Sequence, residues 1–187
     1  MSESASRREE LLDEVVDHVL EHGLIGLTLR PVAKAIGTSD RMLIYHLGSR
    51  DQLVAEVTTR ACDRARDEIR ALPPADGVRE AVLSLWHAYQ VEPLRGCLDV
   101  YVQAAATGLI GHEPYRSVVR AGNEQWVSAM REFLVRSGAA ADRAARVVTM
   151  IDSALYGFLL DLITERPEEL DRGVEDLAAA AETLATA

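Results

Sequence analysis

The run from Thr28 to Leu53 constrains this chain more than any other stretch. It reads Thr-Leu-Arg-Pro-Val-Ala-Lys-Ala-Ile-Gly-Thr-Ser-Asp-Arg-Met-Leu-Ile-Tyr-His-Leu-Gly-Ser-Arg-Asp-Gln-Leu. Thr28 stands where it can cap a first helix, whose Val32, Ala33 and Ile36 recur at helical spacing. Gly37 supplies a left-handed stop. Ser39 then caps a second helix, with Leu43 and Leu47 one turn apart on its inner side. Gly48 ends that helix, and Ser49 with Gln52 forms a capping box for a third. A connection this short forces the first two helices to cross steeply, which is the helix-turn-helix layout.

Such a pair reads duplex DNA by laying its second helix in the major groove. The outer side of that helix carries Asp40, Arg41, Ile44, Tyr45 and His46. Arg41 can donate a bidentate pair to guanine, and Tyr45 and His46 can reach a phosphate or a thymine methyl. Arg50 opens the next helix, where free N–H groups and the dipole favour a phosphate. With Thr28, Lys34 and Ser39 these make the expected DNA-contacting set. On the residues alone, an ordinary helical hairpin is an equal alternative.

Residues 7–57 resemble the DNA-binding domain of the tetracycline-repressor (TetR) family. The likeness lies in Thr-x-x-x-Val-Ala-x-x-x-Gly-x-Ser, then Leu-x-Tyr-His and Ser-Arg-x-x-Leu. Arg41 departs from it, standing where a small residue is common. Leu47 replaces the usual aromatic, and Pro31 occupies the first turn of its helix, where proline is tolerated. The rest of the chain matches in length and helical layout. The resemblance implies a DNA-binding regulator, a homodimer, and a four-helix bundle made by the last two helices of each subunit. Two reading helices would then lie one DNA turn apart, about 34–36 Å.

Charge bears on that implication. The net charge of −10 opposes general nucleic-acid binding. Its distribution is uneven, however. Residues 28–60 hold five basic groups (Arg30, Lys34, Arg41, Arg50, Arg60) against three acidic ones, a balance of +2. Residues 161–187 hold eight acidic groups against two basic, a balance of −6. A positive surface this small needs a second subunit to hold DNA at physiological salt. No segment approaches a membrane span, and the N-terminus lacks the apolar core of a signal peptide, so a cytoplasmic protein without membrane contact is expected. Cys62 and Cys97 show no metal spacing and read as structural thiols.

Apolar periodicity predicts an all-α fold of about nine helices. A helix-turn-helix domain would occupy residues 1–53, and a helical ligand-binding and dimerisation domain residues 54–187. Ser6 and Glu9 suggest a capping box for the first helix. Later helices are expected from Ser49 to about Leu72, Asp76 to Glu92, Leu94 to Thr107, Pro114 to Ser137, Ala140 to Glu165, and Pro167 to the end. The chain's eighth helix, from Ala140, is apolar on more than one face and must bury both. Its Ile151, Leu155, Gly157, Phe158 and Leu162 form the expected dimer seam; burial in a core without any dimer is the alternative.

The middle helices hold Trp86, Tyr89, Tyr101, Trp126, Met130, Phe133 and Tyr156, with Asp152 as a carboxylate among apolar neighbours. An apolar cavity with few polar anchors is what a small-molecule site needs. The same residues would equally fill a core. No phosphate loop, nucleophile elbow or paired-histidine zinc motif is present, so neither catalysis nor a cofactor is expected. His18 and His22, four apart, are too few for a metal site. The expected function is a ligand-responsive regulator, a repressor released from a palindromic operator by an apolar effector. A helical carrier that never meets DNA is the runner-up. An exposed Arg41–His46 surface beside Arg50 separates the two.

Overall fold

The computed structural model describes residues 3–186. Among them nine α-helices and no strand are found, as the periodicity predicts. The helices are α1 (Glu3–His22), α2 (Leu29–Ala35), α3 (Asp40–Leu47), α4 (Arg50–Ala71), α5 (Val78–Tyr89), α6 (Leu94–Leu109), α7 (Tyr115–Arg136), α8 (Ala141–Asp161) and α9 (Pro167–Thr186).

The chain divides into two compact units. The first contains the chain up to Ala65 together with Gly96–Asn123. Its core joins Leu11, Val15 and Val19 of α1, Val32 and Ala33 of α2, Leu43 and Leu47 of α3, and Leu53, Val54 and Val57 of α4. Val100 and Ala104 of α6 and Tyr115 of α7 complete that core. The second unit contains Arg66–Arg95 and the chain from Glu124 onward. There α9 packs against both α5 and α8. Gly173 of α9 permits the approach, because a Cβ there would lie 2.9 Å from the Phe158 ring.

Local chemistry explains the helix ends. Ser39 accepts a bond from the Met42 N–H at 3.2 Å. Ser49 and Gln52 form the reciprocal capping box, with bonds of 2.8 and 3.3 Å. The turn between α2 and α3 is a Schellman motif: Thr38 N–H donates to the Ala33 carbonyl at 2.8 Å and Gly37 N–H to that of Lys34 at 3.4 Å. Gly37 and Gly48 hold φ of +73° and +79°, which side chains with a Cβ rarely adopt.

Two expected caps are corrected. Thr28 makes no side-chain cap bond, although its backbone is extended as a cap requires. Pro31 is the third residue of α2 and has no N–H to donate, so one of the two usual capping donors is missing. Ser6 lies inside α1, which already begins at Glu3; its hydroxyl donates to Glu10 at 3.3 Å. Boundaries shift as well. Helix α6 continues through Gly108 to Leu109, and α8 stops at Asp161 rather than near Glu165. A Cβ on Gly108 would meet the Arg116 backbone at 2.9 Å, so glycine there serves a close helix approach rather than a loop.

Candidate nucleic-acid interface

Helix α3 turns one face inward and one outward. Leu43 and Leu47 are fully buried, while Ile44 and Tyr45 are 51% and 76% exposed. Asp40, Arg41 and Met42 are exposed, and His46 is half-buried. Ile44 and Tyr45 thus stand side by side on the outer face as exposed large side chains. The Tyr45 and His46 rings meet edge to face, with centroids 4.9 Å apart. Thr28, Lys34, Ser39 and Arg50 are exposed on neighbouring segments. The side chains of Arg30, Lys34 and Arg41 form no hydrogen bond or ion pair among the described residues. Their charges face outward without neutralisation.

Arg50 does more than expected. Its Nε donates to the Leu27 carbonyl at 2.9 Å, so it also fastens the segment before α2 to the start of α4. Arg60, counted in the positive balance, contributes little to the outer surface: it pairs with Glu9 at 2.5 Å and Asp13 at 3.4 Å. Arg64 likewise bridges Asp13 and Asp17 of α1.

Arg8 is the functional residue that sequence reasoning passed over. It holds both Glu56 carboxylate oxygens, at 2.5 and 2.6 Å, and donates from Nε to the His46 carbonyl at 3.1 Å. One side chain of α1 thereby joins α4 to the C-terminal end of α3, where a cation also suits the helix dipole. The residues joined lie 38 and 48 positions away, beyond the reach of any local pattern. Gln103 of α6 acts similarly. Its Oε1 accepts from the N–H groups of both Leu24 and Ile25 at 2.8 Å, supporting the segment between α1 and α2.

The expected ligand residues are divided. Tyr101 belongs to the first unit, where its hydroxyl donates to Asn123 at 3.4 Å. The others belong to the second unit. There Tyr89 lies about 6 Å from the rings of Trp126 and Tyr156, and its hydroxyl contacts the Met130 sulfur at 3.8 Å. Phe133, Met130 and Tyr89 are fully buried. Trp126 Nε1 donates to Asp152 at 2.8 Å. Burial raises the Asp152 pKa above the ordinary aspartate range, against the lowering effect of that bond. Trp86 packs edge to face on Phe158, and its buried indole N–H has no acceptor among the described residues. Leaving that donor unsatisfied costs about 1–3 kcal/mol.

The expected dimer seam is also redistributed. Ile151 and Leu155 are fully buried within the second unit and cannot meet a partner chain. Phe158 faces Gly173 and Trp86. Leu162 is the C-cap of α8, half-buried. Gly157 looks onto open space: a Cβ there would meet nothing within 4 Å. Leu160, 54% exposed, follows it on the same outer side.

Cys62 is packed under Gly122, and burial pushes its thiol pKa up to about 12. The thiol therefore keeps its proton at neutral pH, and the thiolate is the reactive form. No group of three metal-ligating side chains occurs among the described residues. No described helix is long and apolar enough to cross a membrane.

No family model matches the chain. The HTH-type transcriptional regulator BetI of Agrobacterium fabrum is 29% identical over 105 residues. That match spans about half of each protein, 52% of this chain and 51% of BetI. Among solved structures, Salmonella enterica GusR superposes with a TM-score of 0.70 at 16% identity, over 100% of this chain and 99% of its own. A Rhodococcus sp. structure assigned to the TetR family of transcriptional regulators superposes with a TM-score of 0.66 at 20% identity, covering 97% of this chain and 100% of its own. The chain has the fold of the TetR-family regulators.

Proposed function

We propose that the protein is a cytoplasmic, ligand-responsive transcriptional repressor that binds a palindromic operator as a homodimer. Residues 1–53 act as the reader and residues 54–187 as the effector-binding and dimerising body. The observation that carries this reading is the outer face of α3. Arg41, Ile44 and Tyr45 are exposed together, and Arg8 holds the helix that bears them. A carrier that never met DNA would have no use for such a face. Arg41 supplies base readout, while Lys34, Arg50 and the cap hydroxyl of Ser39 serve the phosphates.

The body contributes two further supports. Gly157 and Leu160 offer an outer α8 surface on which a second copy can pack. Trp86 offers an unused donor within an aromatic cluster, which an effector carbonyl or hydroxyl could satisfy. Effector and DNA would weaken each other equally by linkage, with a coupling of ~1–3 kcal/mol.

The test is Arg41→Ala, measured by fluorescence anisotropy on a palindrome selected with the unaltered protein. The expected loss is ~1–3 kcal/mol on that duplex and much less on unrelated DNA. Equal loss on all sequences would reassign Arg41 to phosphate binding. No loss on any sequence would remove the α3 face from DNA reading altogether.

A further inference from the structure

We infer that the groove between α6 and α7 in the first unit binds an anionic amphiphile, a molecule with an apolar tail and one negatively charged head. The groove is open to solvent along one side and offers about 600 Å³, within the range of small-molecule sites. Ala105, Leu109 and Val119 give it apolar walls, and Leu109 is 88% exposed. Arg116 and Arg120 line the same groove one turn apart on α7. Like charges at that spacing repel and weaken a helix unless an anion lies between them.

Neither arginine forms an ion pair among the described residues. Glu113 is the acidic group whose charge acts on Arg116. Its carboxylate is already engaged, accepting from both the hydroxyl and the N–H of Ser117. In a chain of net charge −10, two such cations beside an exposed apolar wall complement a negative head and a hydrocarbon tail. Tyr101 and Asn123, bonded to each other, add polar groups to the lining. The groove shares only Tyr101 with the expected ligand set, whose other members, Trp86 among them, belong to the second unit. It stands whether or not the protein binds DNA.

Isothermal titration calorimetry on the full chain, with probes below their micellar concentrations, tests the inference. Decanoate and decyl phosphate present carboxylate and phosphate heads, and decan-1-ol is the neutral counterpart. Saturable binding of one or both anions is expected, at least about tenfold tighter than the alcohol, the scale of one charge-assisted hydrogen bond. The tighter anion names the head. Arg116→Gln with Arg120→Gln should bring the anion down to the affinity of the alcohol, while the paired lysine substitutions should retain most binding. Trp86→Phe, which removes the donor proposed for the effector in the second unit, should leave the affinity for these probes unchanged. Equal affinity for anion and alcohol, no binding of either anion, or anion binding that survives the glutamine pair would overturn the inference. Loss on Trp86→Phe alone would place the probe in the second unit and overturn it equally.

Discussion

Replacing Arg8 by alanine removes four hydrogen bonds at once: two to Glu56, one to the His46 carbonyl, and a long, exposed one of 3.4 Å to Glu9 that contributes least. Both side chains of the ion pair are about a third exposed, at 36% and 31%. Solvent screening therefore keeps that pair near the upper end of surface values, ~1 kcal/mol. The bond to the α3 carbonyl adds about as much again. The sum, ~1–2 kcal/mol, should lower the melting temperature by roughly 2–8 °C in a chain of this size. A double-mutant cycle with Glu56→Gln should show a coupling of ~0.5–1 kcal/mol. Arg8→Lys should fall between the two. A compact ammonium can keep one partner but cannot span the carboxylate and the carbonyl with a planar fork. If Arg8 positions the reader, operator affinity should also fall at temperatures far below melting. Fluorescence anisotropy measures that loss separately from stability. An Arg8→Ala protein with the original melting temperature and the original DNA affinity would refute this reasoning.

Three further outcomes follow from the geometry. Arg50→Ala should weaken binding to all duplexes alike and flatten the slope of log affinity against log salt by about 0.9, the share of one phosphate contact; an unchanged slope would confine Arg50 to its bond with Leu27. Gly157→Leu should leave the protomer folded, since its surroundings are open, yet give monomers in sedimentation; an intact dimer would move the interface elsewhere. Asp152→Asn should raise the melting temperature at neutral pH. Burial raises the folded-state pKa of Asp152, so the folded chain holds its proton more tightly than the unfolded chain does. Stability is thus lost as pH climbs from about 4, the ordinary aspartate value, through that raised value. The gain from asparagine should be complete above this window and vanish below it. A gain independent of pH would point to packing instead.

Much of the fold was legible because its signals are local. Ser39, the Ser49–Gln52 box and Gly37 act within one turn, and each formed as read. Most of the failures share one cause, which is that a local pattern does not name its tertiary partner. Thr28 is the exception, a local one: Pro31, three residues on, lacks one of the N–H groups a cap would bind. Ile151 and Leu155 sit on an apolar helix that must bury two sides, and periodicity cannot say which side meets the body. The clasps of Arg8 and Gln103 were illegible because their partners lie far away in the chain. A charged residue on an amphipathic helix carries no mark of such a partner. Trp126, Tyr156 and Met130 gather round Tyr89, an arrangement their positions along the chain do not reveal, and Tyr101 lies in the other unit.

The central claim is that a symmetric pair of α3 helices reads duplex DNA. Selection of bound sequences from random duplexes tests it most directly. The account predicts enrichment of an inverted repeat whose half-sites are centred one helical turn apart, about 34–36 Å, or a multiple of it. Enrichment of nothing, or of a single unrepeated site by a protein that sediments as a monomer, would contradict it.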